Sequence, residues 1–259
     1  MIPLAIATSE IIITPFLKNK NIFLYNFNMF KNKVQELCLQ NNWDFNLFEK
    51  YVSLIEEKNK VMNLTGFSGD RLWQEGIYES LIFMNAITEH TCNGVILDIG
   101  AGAGFPSIPY VLTKPNNKIV IYEPLKKRVD FLNLVIQELN LDNWVSIQIK
   151  RVEEEEQKNI FDIVTARAVS DVRSLLMAAF HTVKLEGKMS LIKGKNLAKE
   201  VEQAQDILKM LKYEMNIFDL KMDGVDKENK VIEITKKRST PKQFPFKWKD
   251  IVKNKNNKG

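Results

Sequence analysis

The sequence predicts an α/β protein built on a mostly parallel, seven-stranded sheet with helices on both faces and a helical extension ahead of it. Three observations carry this. Beyond Thr91, strand-like and helix-like patterns alternate. The run Val95-Ile96-Leu97-Asp98-Ile99-Gly100-Ala101-Gly102-Ala103-Gly104-Phe105-Pro106 reads as a buried strand, a glycine-punctuated turn and a helix start. The last two strand-like segments, joined through Asp223-Gly224, can pair antiparallel at the sheet's edge.

Along the chain, the first 28 residues show neither helix caps nor clean alternation, and Met29 is a candidate start. From Lys31 to about Lys60 the apolar residues Val34, Leu37, Trp43, Leu47, Phe48, Tyr51, Val52 and Ile55 recur near helical spacing, with Asp44 and Asn46 placed as caps. The core then reads as strand 95–99, helix from about 105, strand 119–122, helix 125–140, strands 145–149 and 160–166, helix 172–183, strand 187–193, helix 196–211 and strands 213–222 and 230–236. Helices between successive strands give parallel crossovers that cover both faces of a sheet. The expected organisation is an N-terminal extension over 1–28, a helical lead-in over 29–90, a core over 91–236 and a basic tail over 237–259.

Gly100, Gly102 and Gly104 let the backbone turn sharply and approach a ligand, and the helix that follows offers free N–H groups. The spacing is G-x-G-x-G, whereas a dinucleotide fingerprint has its third glycine where Phe105 stands. Asp98, two places before the first glycine, would repel a pyrophosphate. It suits S-adenosyl-L-methionine, whose methionyl end carries a cationic amine and sulfonium and no phosphate. Glu123 ends the next strand, placed to accept hydrogen bonds from both ribose hydroxyls, as an acid about 20 residues beyond the glycines does in Rossmann-type sites. The expected cofactor is therefore S-adenosyl-L-methionine on a Rossmann-like fold.

With 259 residues and 45% hydrophobic content the chain can bury one large core. No apolar run nears the roughly 18 residues of a membrane span. The start lacks a basic n-region and Glu10 interrupts its apolar run, which argues against a secretory signal. Cys38 and Cys92 are too few and too far apart for a disulfide framework or a zinc site, and read as buried free thiols of a reducing compartment, the cytoplasm. His90 and His181 have no metal-ligand spacing, so no metal is expected. From Lys236 to Gly259, nine Lys or Arg face Asp250 alone, so this tail carries +8 and the rest of the chain −3 of the net +5. Interleaved Phe244, Phe246 and Trp248 point this tail toward nucleic acid, with cations for phosphates and rings for unpaired bases.

Between about Phe30 and Lys242 a set of short pieces occurs in order: Asn63-Leu64-Thr65, Asp98 to Pro106 with Ile108-Pro109, Lys127-Arg128-Val129 with Phe131-Leu132, Arg151-Val152-Glu153-Glu154, Phe161-Asp162 running into Ala166-Arg167-Ala168, Leu191-Ile192-Lys193-Gly194, and Thr240-Pro241-Lys242. In these the chain resembles the bacterial ribosomal RNA small subunit methyltransferase G family, also called glucose-inhibited division protein B. It departs from the family pattern at Gly76 (usually His), Glu79 (usually Asp), Ser107 (often Gly) and in a tail without the Gly-x-Pro segment. The resemblance implies a class I methyltransferase sheet and methylation of guanosine N7 in 16S rRNA of the small subunit. The partner expected is that RNA or the subunit, with no membrane, and the chain is expected to act as a monomer. By motif position the resemblance places cofactor contacts at Gly100, Phe105, Val152, Glu153 and Arg167, to which the reading of the residues adds Glu123.

The chemistry agrees. Guanine N7 carries an available lone pair, so attack on a sulfonium methyl needs alignment and desolvation, not a base or a covalent nucleophile. Methylation of an exocyclic amine commonly uses an Asp/Asn-Pro-Pro-aromatic loop after the fourth strand, where this chain reads Thr165-Ala166-Arg167-Ala168. Arg167 is the expected aligning residue, holding the cofactor carboxylate or an RNA phosphate through its planar fork, or else pairing with Asp162 or Asp171. Lys193, at a strand end on the ligand-binding edge, is a second candidate catalytic residue. Glu153 reads as an adenine-side contact, and Glu155 and Glu156 as a solvated turn. Two other readings stay open: methylation of another base or of a small molecule, which would want a capping insertion between the later strands, and a non-catalytic RNA-binding assembly factor, which would bind RNA without the cofactor.

Overall fold

The computed structural model describes residues 28–256. The extension expected over 1–28 therefore lies, but for Asn28, outside the described residues. Seven strands form one sheet: β1 (Val95–Ile99), β2 (Lys118–Tyr122), β3 (Val145–Gln148), β4 (Phe161–Ala166), β5 (Val183–Lys193), β6 (Tyr213–Asp219) and β7 (Lys230–Lys236). Their order is β3-β2-β1-β4-β5-β7-β6. The first five run parallel, and β7 lies antiparallel between β5 and β6. The hairpin expected through Asp223-Gly224 is thus present, with its second strand on the inside. The order reverses between β1 and β4, and the crevice at the carboxyl ends of these two strands is where a sheet of this kind holds ligands.

Ahead of the sheet stand α1 (Met29–Asn41) and α2 (Phe45–Asn59), then a helical turn Gly69–Arg71, a π-helical segment Leu72–Tyr78 and α3 (Glu79–Thr88) in unbroken succession. Asp44 caps α2 by accepting the Asn46 N–H at 3.0 Å, so of the two expected caps only Asp44 acts as one. The remaining helices are α4 (Ser107–Val111), α5 (Lys126–Leu139), α6 (Val172–Ala179), α7 (Leu197–Gln203), α8 (Gln205–Leu208) and α9 (Trp248–Asn256).

Strand alternation divides the interior in two. Ile96, Ile119 and Ile163 face a core shared with α1 to α5, so the lead-in helices are packed on the sheet and share its hydrophobic cluster. Leu97, Ile99 and Val164 face a second core completed by α6, α7, α8 and the tail residues Phe244 and Ile251.

Several boundaries move for local reasons. The helix expected from about 105 shrinks to Ser107–Val111 because the glycine turn continues to Pro106. That expected over 196–211 breaks at Ala204, and that over 172–183 ends in a 3-10 turn, Phe180–Thr182, which feeds directly into a β5 starting four residues early. Cys92 is exposed, correcting the expectation of two buried thiols, while Cys38 is buried.

Candidate active site

The glycine turn joins β1 to α4. Gly100, Gly102 and Gly104 all have positive φ (67°, 61° and 108°), where L side chains are strained. A Cβ on Gly104 would lie 2.6 Å from Ile108 and 2.7 Å from the Tyr51 hydroxyl, so the turn is also closely packed from below. That hydroxyl, on α2, donates to Ala103 O at 2.7 Å and ties the lead-in to the turn. Asp98 is wholly buried beneath it. Its Oδ2 accepts from the Ser107 hydroxyl at 2.7 Å, while Oδ1 has no partner. Burial pushes its pKa up to about 7, against the pull of Ser107 and Arg167.

Beside the turn opens a cavity of about 350 Å³ lined by Gly100, Glu123, Arg128, Arg151, Val152 and Glu153, among others. Four of the six predicted cofactor contacts, Gly100, Glu123, Val152 and Glu153, meet here. Glu123 is 1% exposed and partly committed: Oε1 accepts the Leu125 N–H at 3.0 Å and Oε2 the Gly102 N–H at 3.2 Å. Each oxygen retains a lone pair for a further donor. Glu153 Oε1 is buried without a hydrogen-bond partner, and burial raises the pKa of this carboxyl. An orphaned acceptor in a cavity wall invites a donor from a ligand.

Phe105 and Arg167 lie elsewhere. The Phe105 ring turns into the lead-in core against Tyr51, Phe67 and Gly76, because Gly76 leaves space there that any Cβ would fill at 2.8 Å. Arg167 stacks over that ring at 5.1 Å. Its Nη1 donates to Glu75 O at 2.6 Å, to Glu79 Oε1 at 3.2 Å and to the Ser80 hydroxyl at 3.3 Å. The expected alternative pairing with Asp162 or Asp171 is corrected: Asp162 binds Lys184 at 2.8 Å, and Asp171 caps α6 through Ser174 N. The π-helical segment is what makes this anchorage available, since its widened turns release a carbonyl such as that of Glu75.

Arg167 and Lys193 instead line a second cavity, of about 460 Å³, with Glu79, Glu200, Lys227 and Asn229. The two cavities share the wall Ala168, Val169 and Ser170, at the carboxyl end of β4. Lys193 donates to Ser170 O at 2.6 Å and pairs with Glu200 at 2.9 Å, bracing that wall from the second cavity. Among the described residues, neither cavity is lined by a cysteine or a histidine.

The profile described as rRNA small subunit methyltransferase G matches residues 44–231. The chain belongs to this family. It is 40% identical to the ribosomal RNA small subunit methyltransferase G of Mycoplasmopsis pulmonis over 210 residues, covering 79% of this chain and 90% of that one. It is 41% identical to that of Mesomycoplasma hyopneumoniae over 198 residues (73% and 94%) and 27% identical to that of Clostridium perfringens strain 13 over 232 residues (88% and 97%). The seven-stranded, mostly parallel sheet is the class I methyltransferase architecture that the family resemblance implied.

Two of the positions expected to depart from the family pattern, Gly76 and Glu79, meet at Arg167. Gly76 accommodates the Phe105 ring beneath it, and Glu79 pairs with its guanidinium and accepts from Asn229 at 2.7 Å. Reading the sequence missed Glu75, Lys227 and Asn229, which come together from positions up to 154 residues apart. Glu155 also corrects its expectation. It is buried, and although burial raises its pKa, hydrogen bonds from Tyr122, Lys150 and Gln157 overcome this and bring it to about 2. The tail differs most. Phe244 is 1% exposed in the second core, and Lys236 is wholly buried, donating to Phe180, His181 and Val183 carbonyls at 2.7–3.1 Å. Neither is presented to RNA.

Proposed function

We propose that this chain transfers a methyl group from S-adenosyl-L-methionine to N7 of a guanosine in 16S rRNA of the small subunit. The observation that carries this reading is the pair of cavities meeting at Ala168–Ser170, one beside the glycine turn and one around Arg167. The cofactor fits the first. Glycines at positive φ admit close approach, Glu123 keeps lone pairs for ribose hydroxyls, and Glu153 Oε1 awaits a donor. When bound, S-adenosyl-L-methionine supplies an electrophilic methyl.

The second cavity takes the base. Its carboxylates are already engaged: Glu75 with Arg71 and Lys227, Glu79 with Arg167 and Asn229, Glu200 with Lys193 and the Val172 N–H, and Asp171 with Ser174. That arrangement suits a nucleophile that needs no deprotonation, as N7 does, better than an exocyclic amine. The absence of cysteine from both walls argues against attack at a pyrimidine carbon through a covalent adduct. Arg167, stacked on Phe105 and anchored through Nη1, holds one face of the cavity rigid, and Lys193 fixes the shared wall.

Purified protein, methyl-labelled S-adenosyl-L-methionine and small subunits lacking the modification test this reading. Label recovered as N7-methylguanosine in 16S rRNA is the expected result. Label on another base, or none with the cofactor bound, overturns it.

A further inference from the structure

The family profile ends at residue 231, yet a residue far beyond it reaches the glycine-turn cavity. Trp248, the first residue of α9, lines that cavity beside Arg151, whose guanidinium stacks on the indole at 4.9 Å. The placement is maintained by other residues of the tail. Phe244 and Ile251 are 1% and 2% exposed in the second core, and the Phe246 N–H donates to Met177 O on α6 at 3.0 Å. Trp248 itself is 45% exposed. The segment is thus anchored on both sides of a large ring that remains half in solvent at a cavity mouth. An indole costs free energy there unless something apolar covers it.

We infer that Trp248 is a cofactor-binding residue: the tail helix supplies a flat wall, clamped by Arg151, against which the adenine of S-adenosyl-L-methionine packs. This rests on the cofactor reading above. The neighbours of the indole argue for the adenine end. Arg151 stacks on it and lies 4.0 Å from Glu153 Oε1, a buried acceptor without a hydrogen-bond partner that an exocyclic amine would supply, whereas Glu123, the ribose acceptor, is bonded to the glycine turn through the Gly102 N–H. A purine laid on the indole gains the stacking that any base gains on an aromatic ring. The aromatic interleaving of the tail thus acts here on a nucleoside through Trp248, the one of its three rings that lines the cavity.

Titration of the full chain with S-adenosylhomocysteine and with 5′-methylthioadenosine, followed by calorimetry and tryptophan fluorescence, separates the possibilities. Expected results are a fluorescence change on binding that disappears in Trp248→Phe, near-native affinity in that variant, and about tenfold weaker binding of both ligands in Trp248→Ala and Trp248→Leu with unchanged melting temperature. Wild-type affinity in the Ala and Leu variants overturns the role of Trp248 while leaving the cofactor reading intact. Weakening for S-adenosylhomocysteine but not for 5′-methylthioadenosine overturns placement at the adenine. Failure of the wild-type chain to bind either ligand overturns the cofactor reading and this proposal together.

Discussion

The glycine-turn cavity takes most of its polar groups from between Gly100 and Glu153, at the ends of three neighbouring strands, whereas the arginine cavity gathers Glu75, Glu79, Arg167, Lys193, Lys227 and Asn229 from across the chain. The first is a property of the sheet and its turns. The second exists only once the lead-in helices have docked and the β6–β7 connection has closed over them. Binding and alignment should therefore separate by mutation: a change in the arginine cavity should cost methyl transfer and docking stability while sparing cofactor affinity, and a change at the turn should do the reverse.

The largest effect is expected at Arg167. Arg167→Ala should lower single-turnover methylation of small subunits by roughly ten- to a thousand-fold, about 1.4–4 kcal/mol of lost alignment. Because Arg167 lines only the second cavity, S-adenosylhomocysteine affinity should stay within about threefold. The melting temperature should also fall, since Glu79 and the Glu75 carbonyl lose a buried partner. Arg167→Lys should recover part of the activity, a point charge replacing a planar fork. A large loss of cofactor affinity in Arg167→Ala would break the division between the two cavities.

Glu123→Ala gives the complementary case. It removes acceptors for the Gly102 and Leu125 amides as well as for ribose, and should weaken S-adenosylhomocysteine binding by about 1–3 kcal/mol. Saturating cofactor should restore most of the turnover. Turnover that stays low at saturation would mean that the turn also positions the target.

These expectations follow the same line that divides what could be read in the sequence. Gly100, Glu123 and Val152-Glu153 were legible because each sits close to its strand end, and strand periodicity fixes which edge it reaches. Arg167 was legible as a residue at the carboxyl edge of β4. Its partners were not, because a π-helical segment has no hydrophobic period and Glu79 meets Arg167 across 88 residues. The tail was legible in charge but not in placement: composition shows nine basic residues with interleaved rings, and not that Lys236 and Phe244 are buried or that Trp248 lines the glycine-turn cavity.

Asp98, buried beneath the glycine turn, feels a residue of each site: burial raises its pKa most, the Ser107 hydrogen bond and Arg167 lower it, and Glu123 raises it. The folded value of about 7 exceeds the unfolded 3.8, so the native state binds the extra proton between them. Stability is then highest below about pH 4 from this group alone and declines by up to about 1.4 kcal/mol per pH unit as pH rises through 7. Denaturant unfolding of wild type and Asp98→Asn across pH 5 to 8 should show a difference in stability that shifts in favour of the Asn variant as pH rises. Parallel curves would place the titration of Asp98 outside this range.

The smallest effect is expected where the lead-in meets the turn. Tyr51→Phe keeps the edge-on ring contact with Phe105 and removes only the hydroxyl that donates to Ala103 O, leaving a buried carbonyl short of a partner at a cost of roughly 1 kcal/mol. Because Ala103 lies inside the glycine turn and Tyr51 on the helix that supports the arginine cavity, this bond connects the two halves of the site. If it is only a structural tie, stability falls and affinity for S-adenosylhomocysteine is unchanged. If it sets the turn's conformation, affinity falls two- to fivefold with it, as expected for up to about 1 kcal/mol. The close approach of the hydroxyl to the space above Gly104 favours the second outcome, since the turn can sink toward α2 once the hydroxyl is gone. Calorimetry on Tyr51→Phe beside its melting curve decides whether the long-range cavity and the local one are coupled through this single hydrogen bond.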